Sequence, residues 1–117
     1  MASSVQPRRG VVVAAAALAA AGLGIVAGAV AADRAATTHE IVMQAVQFAP
    51  ATLKVKRGDV VVWTNRDPFP HTATAAGVFD SKSIAEGKSW RWHADRAGTI
   101  AYVCSLHPTM KGTLEVE

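Results

Sequence analysis

The chain has 117 residues, a formal net charge of +3 and a single cysteine. This length accommodates one small domain, and one cysteine excludes an intramolecular disulfide framework. Without the first 31 residues, ten Lys or Arg remain against nine Asp or Glu. Such a near-neutral balance predicts no binding to nucleic acid or to an anionic membrane surface.

The N-terminal segment, residues 1–31, has the composition of an export signal. Arg8-Arg9 precedes a stretch, residues 11–32, that contains no charge and is mostly Ala and Val. The Ala-Val-Ala sequence at residues 29–31 predicts cleavage at its end, and the paired arginines favour the twin-arginine route. An uncleaved anchor is the alternative, because 22 uncharged residues can just span a bilayer, which needs about 20. Either way, we expect the rest of the chain in the periplasm or another extracytoplasmic compartment, free of the membrane once the signal is cleaved.

Short β-branched or aromatic runs, separated by Gly, Pro, Asn and Asp, make up the remainder. Residues 32–38 are interpreted as a flexible leader and residues 39–117 as one domain. The pattern predicts an all-β fold, an antiparallel Greek-key sandwich or barrel of seven or eight strands. The predicted strands are residues 41–48, 53–56, 60–63, 71–74, 78–79, 89–93, 99–104 and 113–116.

The most informative motif lies near the C-terminus, where a cysteine, a histidine and a methionine follow at three-residue intervals. Cys104, His107 and Met110 share one segment that Pro108 and its polar neighbours mark as a turn. A thiolate, an imidazole and a thioether so close together suit one soft metal ion, and His71 in a proline-rich loop can supply the fourth ligand. One Cys, two His and one Met form the ligand set of a mononuclear blue-copper electron-transfer site, with a trigonal His₂Cys arrangement and a long axial thioether.

Other interpretations of these residues explain less. Taken singly, a Cys, His or Met is more often a packing residue than a ligand, but three metal-binding types in one short segment are rarely accidental. Structural zinc sites use four Cys or His ligands, and iron–sulfur or rubredoxin-like centres need four thiolates. Only one thiol is present, and a Cys-x-x-Cys-His haem motif is absent. One copper ion is therefore the predicted cofactor.

The chain resembles the cupredoxins, in particular the amicyanins and small plastocyanins, over nearly all of the part that follows the signal. The Cys-x₂-His-x₂-Met segment has the short, amicyanin-like spacing. Further similar stretches are Phe48-Ala49-Pro50, residues 55–63 with Gly58-Asp59, Asn65, Pro70-His71-Thr72, Phe79-Asp80-Ser81, Gly87 and residues 98–104. The resemblance implies an eight-stranded Greek-key β-sandwich with copper at one end. It also implies that His71, Cys104 and His107 are the equatorial ligands and that Met110 is the axial ligand.

One residue departs from the family pattern. Amicyanins and plastocyanins often have an asparagine directly after the first histidine ligand, and this asparagine ties the two metal-binding loops together. The present chain has Thr72 at that position. We expect the hydroxyl and main-chain groups of Thr72 to form part of the same connection.

The ligand set predicts a diffusible monomeric carrier that passes single electrons between a donor and an acceptor, both extracytoplasmic redox proteins bound transiently. Four protein ligands leave no open position for a substrate, so enzymatic activity is not expected. Two alternatives stay open: a periplasmic copper-binding or delivery protein, and a hydrolase or thiol enzyme that pairs Cys104 with a histidine. Electrons are expected to pass through His107. Around it, the sequence predicts an apolar surface patch made of Phe69, Pro70, Leu106 and Pro108.

Overall fold

The computed structural model describes residues 34–117, which contain strands and turns but no helix. Ala35–Glu117 forms one compact unit. In the strands, buried and exposed side chains alternate, because successive residues point to opposite faces of a sheet. The nine strands of the described region are β1 (Thr38–Gln44), β2 (Gln47–Ala49), β3 (Thr52–Val55), β4 (Val60–Asn65), β5 (Thr74–Ala75), β6 (Phe79–Asp80), β7 (Ser89–His93), β8 (Gly98–Cys104) and β9 (His107–Val116).

The strands form two sheets, in the orders β2-β1-β4-β7 and β3-β9-β8-β5-β6. The chain repeatedly changes sheet, so the two sheets enclose one shared core, and the predicted all-β Greek-key sandwich is confirmed. Both sheets are mixed, since β1 runs parallel to β4 and β3 runs parallel to β9. The expectation of a purely antiparallel fold is wrong at these two pairs. In each pair the chain passes through the other sheet before the second strand returns beside the first.

Residues 41–48, predicted as one strand, belong to two strands. β1 and β2 pair as a hairpin with Ala45-Val46 as its two-residue turn, and these residues have positive φ angles of 54° and 58°. Such turns normally contain Asn or Gly. The turn at Ala45-Val46 has neither residue, so the sequence pattern does not indicate it. β5 and β6 are only two residues long each. These short elements raise the strand number in the described residues above the seven or eight expected.

Aromatic side chains, among them Trp63 and Tyr102, fill the core between the sheets. Both are buried, and their ring centroids lie 5.5 Å apart in an edge-to-face arrangement. Tyr102 also packs edge-on against Phe48, at 4.6 Å. Burial raises the pKa of Tyr102 to about 12, so the phenol is neutral in the core. Because Tyr102 and Cys104 share the inner face of β8, this packing anchors the strand that ends in the cysteine.

The N-terminal end of the described region is held against the turn between β3 and β4. The Thr37 N–H donates to Asp59 Oδ1 (3.1 Å), and His39 Nε2 lies 3.0 Å from Asp59 Oδ2. β1 begins at Thr38, the last residue of the predicted leader. The predicted export signal, residues 1–31, lies outside the described residues. Within the described part of the chain, no helix is long and apolar enough to cross a membrane.

Candidate metal centre

A tight hairpin at the end of β8 brings Cys104 and His107 together. Cys104 ends β8, His107 begins β9, and the two residues pair directly across a turn formed by Ser105 and Leu106. Paired residues on adjacent strands place their side chains side by side on one face. The turn is shorter than the sequence predicts, because the strand resumes at His107. The three-residue spacing of the two donors is therefore a consequence of the hairpin.

The pairing between β8 and β9 changes register directly beyond this hairpin. Cys104 pairs with His107, but the residue before Cys104 pairs with Lys111, so residues 108–110 form an insertion in β9. A bulge of this kind redirects side chains and is common beside functional sites. Met110 lies at the end of the insertion and is only 2% exposed. The methionine is therefore an interior side chain at the end of the bulge.

His71 comes from a separate loop between β4 and β5. Its N–H donates to the Ile84 carbonyl (3.2 Å), and the Ile84 N–H donates to the His71 carbonyl (2.7 Å). The histidine is fully buried. This two-way backbone bridge fixes the position from which the imidazole reaches the hairpin.

Three of the four predicted ligands meet at one point. Cys104 Sγ lies 3.7 Å from Nδ1 of His71 and 3.7 Å from Nδ1 of His107, and the two Nδ1 atoms are 3.2 Å apart. Cys104 and His71 are fully buried, whereas His107 is half-buried. The three side chains form a group whose donor atoms all lie within 4.8 Å of one another.

These separations fit a single metal ion. With metal–nitrogen bonds of about 2.0–2.1 Å, a metal–sulfur bond of about 2.3 Å and angles of about 120°, the two nitrogens lie about 3.5–3.6 Å apart and each lies about 3.7–3.8 Å from the sulfur. The observed distances of 3.7, 3.7 and 3.2 Å are close to this arrangement. A thiolate with two imidazoles in a trigonal plane suits copper. The residues present therefore fit one copper ion.

Thr72 connects the two loops, as the sequence predicts. Its N–H donates to Cys104 Sγ at 3.3 Å. Its hydroxyl oxygen accepts a hydrogen bond from the Ser105 N–H (2.8 Å) and lies 3.0 Å from Ser105 Oγ. Hydrogen bonding around the cysteine sulfur is one of the factors that tune the potential of blue-copper sites. Thr72 thus links the histidine loop to the cysteine hairpin without an asparagine.

Asp67 and Asn65 hold His71 in position on the side of its ring away from Cys104. The sequence pattern did not indicate Asp67. Asp67 Oδ2 accepts a hydrogen bond from His71 Nε2 at 2.7 Å, and both residues are buried. Asn65 closes this loop, since its side-chain oxygen accepts from the Asp67 N–H (2.8 Å) and its amide donates to the Phe69 carbonyl (2.8 Å). Burial raises the pKa of Asp67, but hydrogen bonds from the Val46 N–H and from His71 outweigh that effect and hold the pKa below its usual value. The carboxylate is therefore ionised at neutral pH.

An apolar surface surrounds the half-buried His107. Phe69 is 38% exposed and Leu106 is 52% exposed, and Pro70 and Pro108 are exposed as well. The Phe69 ring lies 5.5 Å from the His107 ring, measured between centroids. The predicted apolar patch is therefore at the surface, and Phe69 does not turn into the core.

The chain is similar to a known protein family and to named proteins. The family model described as Cupredoxin-like domain matches residues 11–116. Amicyanin-alpha of Methylorubrum extorquens is 31% identical over 88 residues, which cover 70% of this chain and 74% of that protein. The chloroplastic plastocyanin of Tetradesmus obliquus is 39% identical over 75 residues, or 54% of this chain. The present chain spans about half of that plastocyanin's length (52%).

The fold is also that of solved amicyanins. The Cu(I) form of an amicyanin mutant superposes with a TM-score of 0.66 at 30% sequence identity, and the match covers 74% of this chain and 89% of that one. The family match extends over most of the sequence. The chain therefore belongs to the cupredoxin-like domain family.

Proposed function

We propose that this protein is a one-electron carrier whose type 1 copper site is formed by His71, Cys104, His107 and Met110. The main support is the meeting of one buried thiol with two imidazole Nδ1 atoms, each 3.7 Å from the sulfur. Copper bound there supplies a one-electron change between Cu(I) and Cu(II). The similarity to amicyanin and plastocyanin supports the same function.

The protein's own part is to hold the donors in one arrangement for both oxidation states. His71 is fixed by its backbone bridge to Ile84 and by Asp67. Cys104 is fixed by the N–H of Thr72 and by the packing of β8. Donors that are held in this way need little rearrangement when an electron arrives or leaves. The full set of four ligands also leaves no position for a substrate, which argues against an enzyme.

Burial argues against the two alternative functions. A delivery protein must present its donors to a partner, whereas His71 and Cys104 are fully buried. A catalytic cysteine must be reached by its substrate, and the same burial prevents that. His107 alone of the three clustered donors is partly accessible, which suits the passage of an electron better than the transfer of an ion.

His107 is the proposed point of electron entry and exit. It is the half-buried ligand, and the exposed Phe69 and Leu106 lie beside it in the apolar patch. A small, uncharged contact suits a partner that must bind briefly, since redox encounters often bury less than about 1,200 Å². The donor and the acceptor are proposed to be redox proteins that use this patch in turn, with the carrier as a monomer.

An extracytoplasmic location is part of the proposal. Residues 1–31 form the proposed export signal, residues 32–38 the leader and residues 39–117 the copper-binding domain. One unpaired thiol is unusual in an oxidising compartment, and Cys104 is free and buried. Coordination to copper would explain why this thiol has no disulfide partner.

Loading the purified protein with Cu(II) tests the function directly. We expect one copper per chain, an intense blue absorption band from the thiolate–copper bond, and a reversible one-electron wave in voltammetry. Tight copper binding without intense colour would favour the delivery alternative. Hydrolytic or thiol-transfer activity of the metal-free protein would favour the enzyme alternative.

Replacing Met110 by Gln should lower the reduction potential while the blue colour remains. An amide oxygen is a harder donor than a thioether and therefore stabilises Cu(II) relative to Cu(I). A tenfold change in relative affinity corresponds to about 59 mV for one electron, and voltammetry of both proteins measures the shift. Met43→Leu, at another buried methionine, should leave the potential unchanged. A raised potential for Met110→Gln would contradict the axial assignment.

Replacing Leu106 by Glu should slow electron exchange several-fold without a change in spectrum. Leu106 is 52% exposed, and a carboxylate there must lose water when two patches meet, which is costly. The electron self-exchange rate between the Cu(I) and Cu(II) forms, measured by NMR line broadening, reports this effect. Thr99→Glu, exposed at the opposite end of β8, is the control and should leave the rate unchanged. Equal rates for Leu106→Glu and the wild type would mean that electrons pass elsewhere.

A further inference from the structure

Asp67 is a buried carboxylate that contacts both the ligand His71 and the turn between β1 and β2. Its Oδ2 accepts hydrogen bonds from His71 Nε2 (2.7 Å) and the Val46 N–H (2.9 Å), and its Oδ1 accepts from the Ala45 N–H (2.8 Å). Asp67 is 5% exposed and His71 is fully buried. Three donors from two distant segments therefore surround one buried negative charge.

The turn held by Asp67 is unfavourable on its own. Ala45 and Val46 have φ angles of 54° and 58°, and a left-handed conformation is unfavourable for a residue with a Cβ atom. Val46 also lines a surface hollow together with Phe48 and Met110. The two N–H groups of the strained turn are satisfied by the same carboxylate that binds His71. One side chain thus secures an imidazole donor and the turn beside Met110.

We propose that Asp67 is a positioning residue that sets the donor strength of His71 and thereby lowers the reduction potential of the copper site. This role rests on the proposed electron-carrier function. Both oxygens of Asp67 already accept main-chain N–H groups, and Oδ2 also lies 2.7 Å from His71 Nε2, so the ring proton of His71 lies on Nε2. Nδ1 is then left with its lone pair directed toward Cys104 Sγ and His107 Nδ1, at 3.7 and 3.2 Å.

The effect on the potential follows from the strength of the donor. A hydrogen bond from the distal ring nitrogen of a ligating histidine to a carboxylate fixes the tautomer and the ring orientation and raises the basicity of the ligand. A more basic nitrogen stabilises the more highly charged Cu(II) more than Cu(I). The buried negative charge acts in the same direction, because burial weakens the screening of its attraction to the ion.

His107 is held differently, so the two histidines of the site are not equivalent. His107 contributes Nδ1 to the cluster, but its ring is half-buried beside Phe69. His71 forms an ion pair with the carboxylate of Asp67. Within the described residues, His107 has no such pair. A change at Asp67 should therefore act on the copper through His71 and leave the electron-exchange surface intact.

The test is Asp67→Asn in the full-length protein. The asparagine amide keeps the shape of the Asp67 side chain but removes its negative charge. It also replaces one acceptor oxygen by an NH₂ group, which cannot accept a hydrogen bond from the donors that surround Asp67. Loss of such an outer partner typically costs 10–100-fold in metal affinity. We expect affinity for Cu(II) to fall about tenfold relative to Cu(I), which raises the potential by about 59 mV for one electron. The blue band should persist, because Cys104 and both histidines remain.

Asp80→Asn is the matched control. Asp80 also accepts a hydrogen bond from the N–H of a residue with positive φ, Lys82 (2.9 Å, φ 57°). It lies on the exposed side of β6 and pairs with Lys82 instead of a histidine. This variant removes the same charge from a similar turn, so its potential should equal that of the wild type.

A second measurement uses the metal-free wild-type protein and does not depend on copper. Proton–nitrogen NMR should find the His71 proton on Nε2, in slow exchange with water, and the signal should broaden or vanish in Asp67→Asn. A proton on Nδ1 would overturn the proposal, even if the variant did not fold. A potential of Asp67→Asn equal to or below that of the wild type would overturn it as well. If the wild-type protein forms no blue site, the carrier function fails; if it is blue and Asp67→Asn leaves the potential unchanged, only the role of Asp67 fails.

Discussion

Replacing Cys104 by Ser should abolish the intense blue absorption of the copper-loaded protein. The band arises from the bond between copper and a soft thiolate, and a serine hydroxyl is a hard donor that does not form this bond. Cys104 is the only cysteine of the chain, so no second thiolate can take its place. Met110 offers a neutral thioether, which does not replace the charge of a thiolate. The loss should therefore be complete, and visible spectra at equal copper content measure it.

The control for this substitution is Ala101→Ser in the same strand. Ala101 is exposed, so its variant should keep the full wild-type spectrum. Circular dichroism of Cys104→Ser should still report a β-sandwich, because the core around Tyr102 is unchanged. An intense band near the wild-type position in Cys104→Ser would mean that Cys104 is not the thiolate donor.

The clustered donors were predictable because their chemistry and their spacing are both local. Cys104 and His107 flank a two-residue turn. A separation of three residues in the sequence is therefore enough to place the two side chains on one face. His71 lies 33 positions before Cys104 in another loop, so its chemistry made it only a candidate and the family resemblance implied its role as a ligand. Thr72 was predictable for the same reason, because it occupies the position that follows the first histidine ligand.

Asp67 was not predictable from the local pattern. It precedes Pro68, and an Asp-Pro pair at the end of a strand is explained by a turn alone. Its partners at Ala45 and Val46 are 22 and 21 positions away, so only the folded chain brings them together. One signal was present in the sequence: Asp67 lies four residues before a predicted histidine ligand.

The parallel strand pairs and the turn between β1 and β2 escaped prediction for a related reason. Strand direction depends on which sheet the chain enters next, and alternation of apolar residues carries no information about it. Ala45 and Val46 lack the Asn or Gly that marks a two-residue hairpin. Their positive φ angles are instead held by the Asp67 carboxylate. Tertiary hydrogen bonds, and not local preference, decide these features.

Replacing Gly112 by Ala should destabilise the domain by about 3 kcal/mol, the upper end of the cost of overpacking a core. Gly112 pairs directly with Tyr102 across β8 and β9, and the phenol ring lies over the glycine. An added Cβ would lie 2.7 Å from Tyr102 Cε1 and closer still to Cζ and Oη. The ring has little room to move, because it is 1% exposed and packs against Phe48 and Trp63. Thermal unfolding of the metal-free protein should show a midpoint lowered by more than about 10 °C.

The neighbouring Lys111→Ala variant tests whether the loss depends on the contact with Tyr102. Lys111 is exposed, so its truncation should change stability by less than about 0.5 kcal/mol. In a Tyr102→Leu background, Gly112→Ala should cost much less than in the wild type, because the obstructing ring is gone. Additive losses in that double-mutant cycle would mean that the glycine is needed for some other reason. Tyr102 lies two residues before Cys104, and Gly112 lies two residues after Met110. Displacement of the ring should therefore also disturb the strands that carry these two donors. A weakened or shifted blue band in Gly112→Ala would reveal this disturbance.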